Sequence, residues 1–298
     1  MAAVERPAAA DGMAGQGRGI AYILASGAIF AFTDALSKVL AGAYPPGQIL
    51  CFRSVFVLIA IAVMVRLRGG LASVRVRNWR GQVWRGLMVA GTSLVFIVAL
   101  KHAPLADLTA LLFVSPLILT ALAPYFLGER VGWRRRAAVA VGFCGVLLIV
   151  RPSGDVPLFA LLLGLLVPVL LSASDLLTRH LARTDTANAM MLFSNAVMAA
   201  VGVALLPLGW ETPDWEGLAI FAAAGTLQGV AQYLLIYAFM HGETVVIAPF
   251  RYVMLVWASL YGYLIFGTIP RTETFFGAAI VIAAGLYIFH REARHGRA

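Results

Sequence analysis

Charge is scarce in this chain. Asp, Glu, Lys and Arg make up 12% of its 298 residues, while hydrophobic residues make up 61%. A soluble domain carries about 25% charged residues, so water is excluded as the solvent for most of the surface. Lysine is nearly absent: only Lys38 and Lys101 occur, neither at the middle of an apolar run, which excludes a retinal-type receptor. Cysteine is limited to Cys51 and Cys144, each inside an apolar run, so no disulfide framework and no thiolate metal spacing exists. Neither H-E-x-x-H nor G-x-x-x-x-G-K-[ST] is present, which excludes the corresponding metalloprotease site and direct use of ATP. The five histidines, His102, His180, His241, His290 and His295, fall at helix ends or in tails and form no enzyme constellation. No cofactor, no metal and no catalytic residue is expected.

What the chain has in abundance is long apolar runs. A helix needs about 20 residues to cross the ~30 Å hydrocarbon core of a bilayer. Ten runs approach or exceed that length, at 19–40, 48–65, 86–100, 105–127, 137–150, 157–181, 188–206, 218–240, 245–266 and 274–290. The third and fifth are short and are expected to extend into flanking arginines, whose stems can lie along apolar surface. Residues 1–18 are small and polar with no apolar core before a cleavage site, and read as a soluble tail. The expected fold is therefore an all-α integral membrane protein with ten transmembrane helices joined by short connections.

The net charge of +9 raises the question of nucleic acid, and the positions of the arginines answer it. Most of the 23 Lys and Arg residues cluster on the side of the N-terminal tail: in both tails and after the second, fourth and sixth runs. The opposite side has only Lys101, Arg151 and Arg271. That bias is the positive-inside rule, and it predicts both termini in the cytoplasm of a bacterial inner membrane with no nucleic-acid partner. Trp79, Trp84 and Trp133 fall at one interface and Trp210 and Trp215 at the other, as an aromatic belt requires. Trp257 falls mid-helix, out of that pattern.

The chain also repeats itself. "DALSKVLA" at 34–41 matches "DLLTRHLA" at 175–182, and the same register sets Phe52 on Phe193. "ALKHA" at 99–103 matches "AFMHG" at 238–242, and Gly128 falls on Gly267. Runs one to five thus correspond to runs six to ten. Five is odd, so the second half must cross the membrane in the opposite sense, and an inverted repeat of two five-helix halves is the architecture of a secondary transporter. The expected division is a tail at 1–18, a first repeat at 19–151, a second at 152–290 and a tail at 291–298.

Three stretches, "FAFTDALSKVLAGAYPPGQILCFRS", "PLADLTALLFVSPLILTALAPYFLGERVGWRRRAAVAVGFCGVLLIVRP" and "VVIAPFRYVMLVWASLYGYLIFG", resemble the drug/metabolite transporter superfamily in its EamA-type ten-helix branch. The resemblance covers most of residues 19–290. It implies transport of small metabolites, often export, with amino acids among the common substrates, and its amino-acid exporters are nearest in general character. The chain departs from the pattern where the first half reads "GER" at 128–130 and the second reads Gly267–Thr268 in place of Gly-Glu.

Charges within the runs are the first functional candidates, because an ionisable side chain at membrane depth is costly. Asp34 and Arg53 each lie about 9 Å from one end of the first and second runs, at 1.5 Å per residue. Asp175 and Arg251 lie at similar depth from the other end. Two ion pairs are expected, Asp34–Arg53 and Asp175–Arg251, with Lys38 and Arg179 as alternative partners one turn further on. Each pair either pins helices or acts as a gate, and Arg251 alternatively receives a substrate carboxylate. Lys38 is the charge best placed to snorkel toward lipid.

Gly225, Gln228 and Gln232 share one face of the eighth run, and amides cannot face lipid unsatisfied. Gly225 is expected to leave room beside them. With Ser93, Ser115 beside Pro116, Tyr252 and Trp257 they make an expected substrate cavity, and Pro249 predicts a kink before Arg251. Gly142, Gly145 and Gly229 are expected to permit close helix approach. The expected activity is secondary transport of a small metabolite, amino-acid export first, with uptake of an S-adenosylmethionine-like or drug-like amphiphile as the alternative and a channel or lipid scramblase as the competing class. The partners are a small-molecule substrate and the lipid bilayer, and a monomer suffices.

Overall fold

The computed structural model describes residues 9–68, 74–126, 133–150, 157–182, 184–241 and 248–295. Eleven α-helices account for most of them: α1 (Ala9–Ala43), α2 (Pro46–Arg68), α3 (Trp79–His102), α4 (Leu105–Leu112), α5 (Ser115–Phe126), α6 (Trp133–Val150), α7 (Leu158–Leu181), α8 (Ala187–Leu205), α9 (Trp215–His241), α10 (Val253–Phe266) and α11 (Thr272–His295). No strand occurs among the described residues.

Six segments are long and apolar enough to span a membrane: Gly17–Ala43, Pro46–Leu67, Trp79–His102, Leu158–Thr178, Ala187–Leu208 and Trp215–His241. The other four expected spans are shorter apolar helices, Leu105–Ala121, Ala137–Ile149, Phe250–Phe266 and Thr272–Ile288. The third span is longer than its apolar run, because α3 starts at Trp79 and carries Arg80 and Arg85 into the helix. Likewise α1 starts at Ala9, inside the stretch expected as a tail, and α11 continues past residue 290.

Local chemistry fixes several of these ends. Asn78 caps α3 by accepting from the Gly81 amide at 3.0 Å, and Asp214 accepts from the Gly217 amide of α9 at 2.7 Å. "Asn78-Trp79-Arg80-Gly81" and "Asp214-Trp215-Glu216-Gly217" are the same start signal used twice. Gly267 ends α10 in the left-handed region at φ 65°, and the Thr268 amide reaches back to the Gly262 carbonyl at 3.1 Å. The Thr268 hydroxyl bonds the same carbonyl at 3.0 Å, so the residue that departs from the Gly-Glu pattern serves as a cap.

Two spans are broken. The fourth divides at Phe113–Val114, where the amides bond three residues back to Ala110 and Leu111, just ahead of Ser115-Pro116. Proline has no N–H to donate and pushes the preceding residue away from helical geometry. The ninth span begins as a 3₁₀ turn, Ala248–Tyr252, containing Pro249, before α10 takes over. Phe113 and Tyr252, one at each break, are in ring contact at 4.9 Å.

Packing crosses between the halves almost everywhere. α1 lies on α9 and α10, α2 on α8 and α9, α3 on α7 and α8, α4 on α7 and α10, α5 on α7, and α6 on α11. Glycine permits the closest of these approaches: a Cβ at Gly225 would lie 2.5 Å from the Arg53 carbonyl of α2, and one at Gly145 would lie 2.7 Å from the Gly277 carbonyl of α11. Gly142 and Gly229 sit equally tight against Leu117 and Ala60.

The connections tie the ends of the bundle together. At the end that carries Tyr44, Gln48 exchanges hydrogen bonds with the Glu211 backbone, at 2.7 and 3.0 Å, joining the start of α2 to the α8–α9 connection. At the opposite end Asp185, 6% exposed, joins the α7–α8 connection to the start of α3. It accepts from the Gln82 amide at 2.6 Å and from the Arg77 and Asn78 backbone at 2.8 and 3.3 Å. Burial raises its pKa, but the bonds from Gln82, Arg77, Thr184 and Asn78 outweigh that and hold the carboxyl below its ordinary range.

Candidate substrate-transport site

Two polar nodes lie within the bundle. In the first, Asp34 and Arg53 are both buried, 8% and 5% exposed, within electrostatic reach of each other. Arg53 Nη1 donates to Ser37 Oγ at 2.9 Å, and Ser37 donates to the Thr33 carbonyl at 2.8 Å. The register that matched the halves sets Asp34 on Asp175 and Ser37 on Thr178. The second node is built on those two residues.

Its arginine is not Arg251. Arg85 of α3 lies within electrostatic reach of Asp175, and its Nε donates to Thr178 Oγ1 at 2.6 Å. Nη1 of the same residue donates to the Met190 carbonyl at 3.0 Å and to Ser194 Oγ, both on α8. The sequence treats Arg85 as one of the loop arginines after the second run, because the uninterrupted apolar stretch starts at Gly86. The signal that places it inside a helix is the cap at Asn78. The register that sets Phe52 on Phe193 sets Arg53 on Ser194. Ser194 therefore accepts a hydrogen bond at the place where the first node supplies its arginine.

Arg251 lies elsewhere. It stands exposed in the 3₁₀ turn and lines an open cleft with Ile23, Ser26, Gly27 and Phe30 of α1, Leu235 of α9 and Met254 of α10. None of these neighbours is acidic. The expected Asp175–Arg251 pair is thus replaced by Asp175 with Arg85, since the turn containing Arg251 packs on α1 while α7 packs on α3. The Arg179 side chain lies outside the described residues, as do "GER" at 128–130 and the boundary between the expected repeats.

Lys38 does not snorkel to lipid. Its ammonium donates to the Leu100 carbonyl at 2.7 Å and to the Ala103 carbonyl, at the end of α3 where the helix dipole is negative. It also sits over the Phe266 ring at 5.5 Å and within reach of Asp107. Asp107, fully buried in the first turn of α4, accepts from Arg271 Nη2 at 3.2 Å and Thr274 Oγ1 at 2.7 Å. Arg271 also bonds the Ile149 carbonyl at 3.1 Å. Asp107 escapes a search for charges in mid-run because it follows Pro104 at a helix start, where a carboxylate is favoured.

The expected cavity residues divide by partner. Gln228 accepts from Thr33 Oγ1 of α1 at 2.7 Å, and Gln232 from Asn195 of α8 at 3.4 Å. Gly225 leaves no room beside them, because α2 fills the space. Ser115 is held by Ser172 of α7, oxygen to oxygen at 3.1 Å, close to Pro168 inside that helix. Ser93 is half-buried on α3. Tyr252 directs its hydroxyl against Gly285 of α11 and its ring against Phe113. Trp257 stacks with Tyr261 at 6.0 Å, packs on the core shared by α1, α3, α4 and α7, and keeps its indole N–H buried without a hydrogen-bond partner among the described residues.

A bundle of membrane-length helices, broken at two facing points and holding buried charges at depth, is a multi-pass membrane protein. Comparison with known proteins narrows this. Residues 17–151 match the EamA-like transporter family. A protein of Rhizobium johnstonii named as a riboflavin transporter is 33% identical over 232 residues, 77% of this chain and 76% of its own length. One of Rickettsia bellii named as an S-adenosylmethionine uptake transporter is 26% identical over 276 residues, 93% of this chain and 94% of its own. A crystal structure 19% identical in sequence shares the fold, with a TM-score of 0.64 over 94% of this chain and 99% of that one. The chain belongs to the EamA-type branch of the drug/metabolite transporter superfamily.

Proposed function

We propose that this protein is a secondary carrier that moves a small amphipathic metabolite across the bacterial inner membrane by alternating access. The observation that carries the reading is the symmetry of packing. Exchanging the first five spans with the last five converts α1 on α9 into α7 on α3, and α2 on α9 into α8 on α3. The same exchange converts α1 on α10 into α7 on α4 and α5, while α2–α8 and α6–α11 map onto themselves. Such a pattern supports an inverted repeat with halves at 19–151 and 152–290, and two halves so related can trade conformations about one central site. The contact between Phe113 and Tyr252 lies where the two broken spans meet, the place such an axis would pass.

Names of the relatives favour uptake of a nucleoside- or flavin-like metabolite; amino-acid export draws no support from them. The distribution of arginine supports cytoplasmic termini. In this reading Ser93, Ser115, Gln228, Gln232, Tyr252 and Trp257 flank the path, and the Asp34–Arg53 and Asp175–Arg85 nodes close it from either side. Counterflow in proteoliposomes tests the carrier against a channel or scramblase. Unlabelled substrate preloaded inside should accelerate entry of labelled substrate, and a pore shows no such trans-stimulation.

A further inference from the structure

Arg251 is the one membrane-depth arginine of the three sites above that the fold does not consume. Arg53 and Arg85 each donate to a hydroxyl of the bundle and lie within electrostatic reach of a carboxylate. Among the described residues no hydrogen bond or ion pair engages the Arg251 guanidinium, and it opens into the cleft between α1, α9 and α10. The rest of that cleft is apolar apart from Ser26, whose hydroxyl is already donated to the Ala231 carbonyl at 2.9 Å. A cation in such surroundings is unfavourable unless an anion meets it. We propose that this cleft seats the anionic group of the transported molecule, with Arg251 as the group that recognises it, a reading that rests on the carrier function above.

The walls define the rest of the ligand. Phe30 and Met254 offer an aromatic face and a polarizable thioether, suited to an apolar or planar body. Ile23, Gly27 and Phe30 lie on one face of α1 and carry that wall along the helix. The site selects a molecule with an anionic group at one end and an apolar or planar body. Of the two substrates in the relatives' names, S-adenosylmethionine, with a carboxylate, has that form. Riboflavin, without an ionised group at neutral pH, does not.

The test is counterflow by the full chain in proteoliposomes with matched probes: S-adenosylmethionine, its decarboxylated analogue, riboflavin, tryptophan and tryptamine. An acid should exchange roughly tenfold or more faster than its amine partner and than riboflavin, the discrimination expected of one charge-assisted hydrogen-bonded contact. Arg251→Gln should bring the acid down to the rate of its amine partner, and Arg251→Lys should keep most of the preference. Amines or riboflavin exchanging as fast as the acids would overturn the anion seat and leave the carrier standing, and so would a preference that survives Arg251→Gln. No trans-stimulation with any probe would overturn the carrier reading and the seat with it. The acid–amine comparison on the unaltered chain needs no variant to fold.

Discussion

The Asp34 and Asp175 nodes share an acid, a hydroxyl one turn later and an arginine, yet they differ in which helix supplies the arginine. Arg53 comes from α2, the helix next in sequence to α1, so the first node closes within one half of the chain. Arg85 comes from α3 and bonds α7 and α8, so the second node joins the two halves. The first is also the more enclosed, with Ser37 fully buried and Arg53 5% exposed, whereas Arg85 and Thr178 are half-buried. In the proposed cycle a node inside one half moves with that half as a unit. A node across halves holds only while those helices stay together, which makes it the better candidate for a contact that breaks during transport.

The largest effect should come from removing the enclosed arginine. Arg53→Ala removes the charge-assisted bond to Ser37 and the cation nearest the buried Asp34, which costs about 3 kcal/mol. Thermal unfolding in detergent should show the loss, and the loss should exceed that of Arg85→Ala. Equal losses would break the contrast between the nodes.

Arg85→Ala should cost about 2–3 kcal/mol, the scale of losing charge-assisted bonds at a half-buried site. The informative variant moves the arginine back to the helix used by the first node. Arg85→Ala combined with Ser194→Arg should recover most of the lost stability, because Ser194 already touches Arg85 and occupies the position matched to Arg53. Ser194→Arg alone crowds two cations and should be less stable than the unaltered protein. A double variant no better than Arg85→Ala would show that the nodes are not interchangeable.

Much of this arrangement is legible in the sequence, and the rest is hidden for physical reasons. Ten apolar runs announce the helices, and the match of "DALSKVLA" to "DLLTRHLA" announces both acids. Their hydroxyl neighbours come with the match. The partner of Asp175 does not, because an arginine one turn inside a helix start looks like a loop charge when only apolar length is counted. Depth along the chain assigned Arg251 to Asp175, but depth says nothing of azimuth: α7 faces α3, and the turn of Arg251 faces α1. The division of the fourth span was likewise concealed, since Pro116 within a run can kink a helix or end it.

The two ends of the bundle differ as the nodes do, and pH separates them. The Asp185 clamp depends on an ionised carboxyl whose pKa is depressed in the folded protein. Its contribution is full above the unfolded value of about 3.9 and is lost as pH falls through the lower folded value. Asp185→Asn should therefore cost about 1–2 kcal/mol near neutral pH, and its difference from the unaltered protein should vanish in strong acid. Unfolding measured from neutral pH into strong acid would follow it. The Gln48–Glu211 clamp uses an amide and backbone groups, so Gln48→Ala should cost the same at every pH in that range.

The smallest effect tests whether the hydroxyl is the shared part of the two nodes. Thr178 Oγ1 accepts from Arg85 and donates to the Ser174 carbonyl at 2.8 Å, as Ser37 does with Arg53 and Thr33. Thr178→Ser keeps that oxygen and removes only a methyl at a half-buried position, so stability should change by less than about 0.5 kcal/mol. Thr178→Ala removes the oxygen and should cost about 1 kcal/mol, with Arg85 losing one acceptor while keeping those on α8. If the serine variant were as damaged as the alanine variant, the methyl would be the group that matters, and the likeness between the nodes would reduce to their acids.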